Sequence, residues 1–417
     1  MVGKQIFTPV ISASIIIFTE AIPLNFVRGV NVNQLLYILA FIISFSPIEL
    51  ISYLKSIYFK RIYLVFLIFQ LLKFYIGTYV KTEAEFEIPY YYSISSFILI
   101  YIFFRIRNFN QIYSLTKILL LFLMINAGFG LLNFLFGGPF AIVRAFLVAN
   151  KEGWLFFGKG DRIAGFSPTL FHYGYQVVLL PVLMFMLYMW KRKNSYLTIA
   201  IISGFIVILT GERASLGAVV LVLFLIIRYL KIKVRLLPLL FSIVTIIVSI
   251  NYFQKDLFSE DSSISRLTSE ESDLEDRFIK MGSALQTVFN NPFNGGTVYE
   301  YEYHFSRISG YYPSSPHNTY INVGRYVGII GFFLLFLFFK KIYQIINQTV
   351  RYLNNSFKKL YIGYLYSFIA VLIVGFFHNG GVFTKEPWTW IILGFLISFH
   401  RCSLLPRNKI ELNNLEN

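Results

Sequence analysis

This sequence predicts an all-α integral membrane protein with about twelve transmembrane helices, and three observations carry that prediction. Of the 417 residues, 56% are apolar and only 14% charged, whereas soluble domains carry roughly a quarter charged residues. The apolar residues fall in blocks near the ~20 residues needed to cross a hydrocarbon core. The blocks lack the alternation of a barrel strand, and a bilayer leaves no water for backbone amides, so each block folds as a helix. The formal charge of +16 does not point to nucleic acid, because the cations form no continuous tract between aromatic platforms. They mark topology instead.

The elements follow in chain order within one polytopic domain, residues 1–417. Phe7–Leu24 follows a single basic residue and ends without a small-x-small cleavage site, so it reads as a retained anchor. Leu35–Leu54 and Ile62–Val80 flank Lys55, Lys60 and Arg61; Ile88–Phe104 and Ile118–Phe136 flank Arg105, Arg107 and Lys117. A loop at 137–170 leads to Phe171–Trp190, which Lys191, Arg192 and Lys193 separate from Leu197–Thr210. A tight hairpin enters Ala214–Leu230, and Arg228, Lys231, Lys233 and Arg235 precede Leu236–Phe253. The large loop at 254–317 leads to Thr319–Phe339, then a basic connector, Leu360–His378, Pro387–Phe399 and a tail with Arg401.

Alternate connectors are basic throughout and hold more than half of the 37 Lys and Arg, while most acids lie in the other set. The positive-inside rule therefore places the basic connectors and both termini in the cytoplasm. A bacterial inner membrane is the simplest setting. The sole cysteine, Cys402, allows neither an intrachain disulfide nor a thiolate metal cluster. Trp190, Trp388 and Trp390 read as interfacial aromatics.

Chemistry is expected on the outer side. Ser272-Asp273-Leu274-Glu275 is a capping box, and Leu274, Phe278, Met281, Leu285, Val288 and Phe289 then recur at helical spacing until Asn290-Asn291-Pro292. This amphipathic helix reads as a packing lid or, through Arg277, as part of a site. Arg213 sits at a hairpin too short to reach far into water, where a guanidinium pairs with Glu212, snorkels to headgroups or binds an anion. His317 opens the tenth span with a side chain that titrates near neutral pH. It reads either as structural or as a general base. Arg325 lies about 80° round the helix from His317 and ~12 Å deeper if the helix is continuous, there to stabilise the interior or to reach an anion. Gly324, Gly328 and Gly331 would give one smooth face for close packing.

His317-Asn318, nine residues and then Gly328-x-x-Gly331 resembles the O-antigen ligase (WaaL) and polysaccharide polymerase (Wzy) superfamily. Four further segments agree in order: Arg162-Ile163-Ala164-Gly165-Phe166; Thr210-Gly211-Glu212-Arg213; Arg277 with Asn291-Pro292-Phe293-Asn294-Gly295-Gly296; and Phe377-His378-Asn379 with Trp388 and Gly394. The likeness runs from about Gly160 to Leu396. Glu212 is a departure, since serine is common there, and it could compete for Arg213.

The resemblance implies an inverting, metal-independent glycosyltransferase of GT-C type with no cofactor, whose donor is a glycan on undecaprenyl diphosphate. Arg213, Arg277 and Arg162 would clamp the diphosphate, as guanidiniums suit bidentate phosphate contacts. His317 would take the acceptor hydroxyl proton and Asn318 would orient it or a sugar hydroxyl, with Arg325 and His378 as secondary candidates. No Asp-x-Asp stands near the arginines to call for a divalent ion. The acceptor is another lipid-linked repeat unit in a polymerase and lipid A–core in a ligase. The Lys, Ile, Tyr and Phe bias leans to the polymerase, for O-antigen, capsule or exopolysaccharide. Membrane lipids and a chain-length regulator are the other expected partners. A lipid-linked-oligosaccharide flippase or a noncatalytic scaffold would also bind glycan, although the two halves do not repeat as transporter halves do.

Overall fold

Every regular element among the described residues is a helix, one of them a π-helical turn. The computed structural model describes residues 2–22, 32–69, 71–72, 88–148, 163–167, 170–231, 273–293, 295–296, 298–309, 318–353, 355–378 and 386–405. In chain order the helices are α1 (Val2–Ala21), α2 (Val32–Ser44), α3 (Pro47–Lys55), the π-helical α4 (Tyr58–Tyr63), α5 (Ile88–Phe104), α6 (Phe109–Phe136) and α7 (Pro139–Val148). There follow α8 (Leu170–Val177), α9 (Leu179–Lys191), α10 (Asn194–Leu209), α11 (Arg213–Tyr229), α12 (Asp273–Asn290) and α13 (Val298–Ser309). The last are α14 (Thr319–Val327), α15 (Ile329–Tyr352), α16 (Asn355–Phe376) and α17 (Pro387–Leu404).

Among the described residues, four stretches are long and apolar enough to cross a membrane: Phe109–Phe136, His172–Lys191, Ile329–Tyr352 and Phe357–Phe376. A fifth counts if the bent pair Leu35–Ser44 and Pro47–Lys55 is one span. The chain is an all-α membrane protein. The expected span Leu236–Phe253 lies outside the described residues, as do Gln70 and residues 73–80 of the expected span Ile62–Val80.

Three expected spans are broken, each for a local reason. The second bends by 98° between α2 and α3. Pro47 disfavours the helical region for Ser46, which is extended at φ −149°, and the Ser46 amide donates to the Tyr101 hydroxyl at 3.1 Å. The sixth is interrupted at Val178, because Pro181 has no N–H for the Val177 carbonyl one turn back. The tenth breaks at Gly328, whose φ of +69° only glycine adopts readily.

That last break corrects the smooth glycine face. A Cβ on Gly328 would collide with the Pro292 carbonyl, one on Gly324 with the Phe332 ring, and one on Gly331 would lie 2.8 Å from the Val323 carbonyl. The three glycines therefore serve three separate close approaches. The expected depth of Arg325 likewise changes, since it lies in α14 before the break rather than along one continuous span.

α17 is the axis of the bundle, buried along nearly its whole length and packed on α5, α6, α15 and α16. Trp388 and Trp390 are buried there, not interfacial; the Trp390 ring centroid lies 4.7 Å from that of Phe66. Exposed Ile201, Val220, Phe224 and Phe333 lie on the outer helices, as lipid-facing positions should. Polar residues collect at the two ends. At one, Arg105 donates to the Ser44 carbonyl, Arg107 pairs with Glu49, and Arg401 reaches the Phe104 carbonyl and Glu49. The opposite end holds the site described next.

Candidate functional site

At that opposite end, pieces of all five motif segments converge. The stretch 163–167 is held from three sides. The Ile163 amide donates to the Leu209 carbonyl at 3.2 Å, just before the α10–α11 turn. The Phe166 amide donates to Asn126 Oδ1 at 2.7 Å, and Arg144 donates through Nε to the Gly165 carbonyl (2.9 Å) and through Nη2 to the Ser167 carbonyl (2.8 Å). Gly165 turns at φ +54° against Asn126. Burial pushes the Arg144 guanidinium down to about 10, still far above neutral pH, so it remains a cation. In the sequence Arg144 is one of four cations in the stretch 137–170, with Lys151, Lys159 and Arg162. Only the fold shows it as the organiser of this segment.

The α10–α11 turn is tight because Gly211 has φ +66° and the Thr210 hydroxyl bonds both ways, donating to the Val207 carbonyl (2.7 Å) and accepting from the Glu212 amide (3.2 Å). Glu212 stands at the N-cap of α11, yet its side chain does not cap. Its buried Oε2 accepts from the Ser215 hydroxyl at 2.9 Å and lies 3.6 Å from His378 Nε2. Gly174 makes room, because a Cβ there would collide with that carboxylate. Arg213, half-buried, is the first residue of α11.

Asn318 caps α14, its Oδ1 accepting from the amides of Tyr320 and Ile321 at 3.0 Å each. Its amide nitrogen lies 3.9 Å from Met281 Sδ of α12. Thr319 Oγ1 donates to the His378 carbonyl at 2.8 Å, which ties the start of α14 to the end of α16. The other motif glycines close the loop side. The Gly296 amide donates to the Arg325 carbonyl (2.8 Å) and the Ile329 amide to the Pro292 carbonyl (2.6 Å). Arg325 is buried, with Nε on Asn322 Oδ1 at 2.9 Å and its guanidinium 5.3 Å from the Tyr301 ring and 4.3 Å from the Tyr326 ring. Among the described residues its Nη1 has no hydrogen-bond partner.

Arg162 and His317 lie outside the described residues, as does the side chain of Arg277, whose backbone is in α12 four residues before Met281. Among the described residues, no group of three or more His, Cys, Asp or Glu is arranged to hold a metal ion.

Sequence reading missed a second polar set beside this one. His172 Nδ1 lies 3.1 Å from Glu386 Oε2, while Glu386 Oε1 accepts from the Trp388 amide at 3.3 Å and so caps α17. The Tyr37 hydroxyl donates to Glu20 Oε1 at 2.8 Å, and Gln176 Nε2 to the Glu20 carbonyl at 3.2 Å. Tyr175 bridges the sets, bonded through its hydroxyl to Thr319 and with its ring 6.4 Å from that of His378. The available signal was Glu20 inside an apolar block, since intramembrane carboxylates are costly without partners.

The fold thus defines a helical membrane protein with a buried network of carboxylates and imidazoles at one end of its bundle. Residues 198–336 match the family model described as O-antigen ligase, which bears out the resemblance to the O-antigen ligase and polysaccharide polymerase superfamily. The match spans the α10–α11 turn, α12, the Asn291–Gly296 turn, His317 and the glycines that follow. No curated protein matches the chain significantly.

Proposed function

We propose that this protein is a membrane glycosyltransferase that moves a glycan from a polyprenyl diphosphate, undecaprenyl in a bacterial inner membrane, onto an acceptor hydroxyl. The observation that carries the reading is the convergence of the five motif segments at one end of the bundle, within bonding contact of one another. The full topology is twelve spans of GT-C type in one polytopic domain, with both termini cytoplasmic and the site facing outward. One feature favours that sidedness: the arginines expected inside gather at the far end.

The acceptor oxygen attacks the anomeric carbon, the bond to the diphosphate oxygen breaks, and His317 takes the hydroxyl proton. Configuration inverts. Negative charge grows on the leaving diphosphate, so Arg213, Arg277 and Arg162 stabilise the transition state more than the ground state. Position 277 lies one helical turn before Met281, the residue against Asn318, which suits a shared site. Asn318 contributes mainly by fixing the first turn of α14, and through it His317. The scheme draws on no metal or cofactor.

Polymerisation of a repeat unit is the favoured reaction on residue bias, with ligation to lipid A–core second. Purified protein incubated with lipid-linked repeat units tests both. A ladder of products supports the polymerase, transfer to added core lipid supports the ligase, and neither product points to a flippase or scaffold. A chain-length regulator is the expected partner if the ladder is unbounded in isolation.

A further inference from the structure

α12 is apolar on two opposite faces. Ser283, Ala284, Thr287 and Val288 are buried against α13 and α14. On the other side Phe278 is 70% exposed and Phe289 77% exposed, with Phe293 just past the helix end at 71%. At 100° per residue Phe278, Gly282, Leu285 and Phe289 fall within about 60° of one another, a stripe ~16 Å long. That buried face packs on protein. Three large aromatics opposite it remain uncovered, on a helix whose flanks carry Gln286 and Asn290.

What covers them follows from their neighbour. The Ile329 amide donates to the Pro292 carbonyl at 2.6 Å, so the end of α12 abuts the first residue of α15. Ile329, Phe333 and Phe336 are all more than half exposed and repeat at the spacing of one helical face, on a helix long and apolar enough to span a membrane. Lipid is the apolar cover such a helix face calls for. The stripe of α12 therefore meets the lipid-facing strip of α15 at the hydrogen bond between Ile329 and Pro292.

We infer that α12 is seated in the bilayer, with Phe278, Phe289 and Phe293 immersed among acyl chains at the boundary of the hydrocarbon, and that the helix lies along the interface. An exposed phenyl ring in water costs free energy in proportion to its apolar area, and this is regained at the acyl boundary. The seat also has a structural effect. It fixes the height of α12, and hence of Met281 against Asn318, relative to the leaflet.

The chain has a single, buried cysteine, which makes site-specific labelling direct. In a Cys402→Ala background, nitroxide labels at Phe278→Cys, Phe289→Cys and Phe293→Cys in reconstituted vesicles are compared by power-saturation EPR. Val220→Cys on exposed α11 is the lipid standard and Lys193→Cys, at the exposed α9–α10 turn, the aqueous one. The expected result is that all three labels group with Val220→Cys, severalfold more accessible to oxygen than to a water-soluble nickel chelate relative to Lys193→Cys. Grouping with Lys193→Cys overturns the inference. So does low access to both agents with spin–spin broadening, which would mean that a second copy covers the stripe. If cysteine at Phe289 fails to incorporate, Phe289→Trp read by brominated-lipid quenching gives the same decision, quenching supporting the seat and its absence rejecting it.

Discussion

Glu212 shows how one residue's meaning changes between sequence and fold. In the sequence it is a rival for Arg213; in the fold its carboxylate turns to Ser215 and His378. On the proposed function it is a positioning residue that joins three motif segments, since the His378 carbonyl in turn accepts from Thr319. Glu212→Gln keeps an acceptor for Ser215 but removes the charge facing the imidazole. Misplacing a catalytic group by about 1 Å costs on the order of 10²-fold, so that variant is expected to lose turnover of this order with unchanged thermal stability in detergent; full turnover would limit Glu212 to packing. His317→Ala should lower transfer by about 10²- to 10⁴-fold, the range for losing a general base, without loss of expression. Arg213→Ala should weaken donor binding by about 1.5–3 kcal/mol, as for one charged hydrogen-bonding group, measured as donor affinity. Arg213→Lys should restore only part, because a point charge cannot bind phosphate bidentately.

At the scale of elements, hydropathy located the helices and chemistry at their ends broke them. Leu35–Leu54 reads as one apolar block because a hydropathy window averages over Ser46-Pro47, whereas the bend depends on that single dipeptide and on a distant hydroxyl, Tyr101. The glycines after His317 were legible as close-packing positions, but their partners were not. Pro292, Phe332 and the Val323 carbonyl come together only through the fold. Arg144 was illegible for the same reason: its acceptors are carbonyls some twenty residues away, and carbonyls carry no sequence signature. Arg144→Ala leaves two buried carbonyls without donors, which should cost about 3 kcal/mol. That loss is measurable as a lower midpoint of thermal unfolding. Substitutions of the neighbouring exposed Ile142 should leave the midpoint unchanged.

At the scale of the molecule, charge distribution and fold agree without sharing an assumption. The positive-inside argument counts Lys and Arg along the chain, while the fold groups side chains by contact, and both separate Arg105, Arg107 and Arg401 from the Glu212, His378 and Asn318 end. On the positive-inside rule the basic end faces the cytoplasm, because turning the protein over would place its short basic loops on the translocated side. Sidedness is therefore the sharpest whole-molecule expectation. In intact cells an impermeant maleimide should label Arg307→Cys, exposed at the site end, and should leave Lys193→Cys unlabelled until the membrane is opened. The reverse pattern would put the site on the cytoplasmic face, where the growing polymer would have no route to the cell surface and the polymerase reading would fail with it.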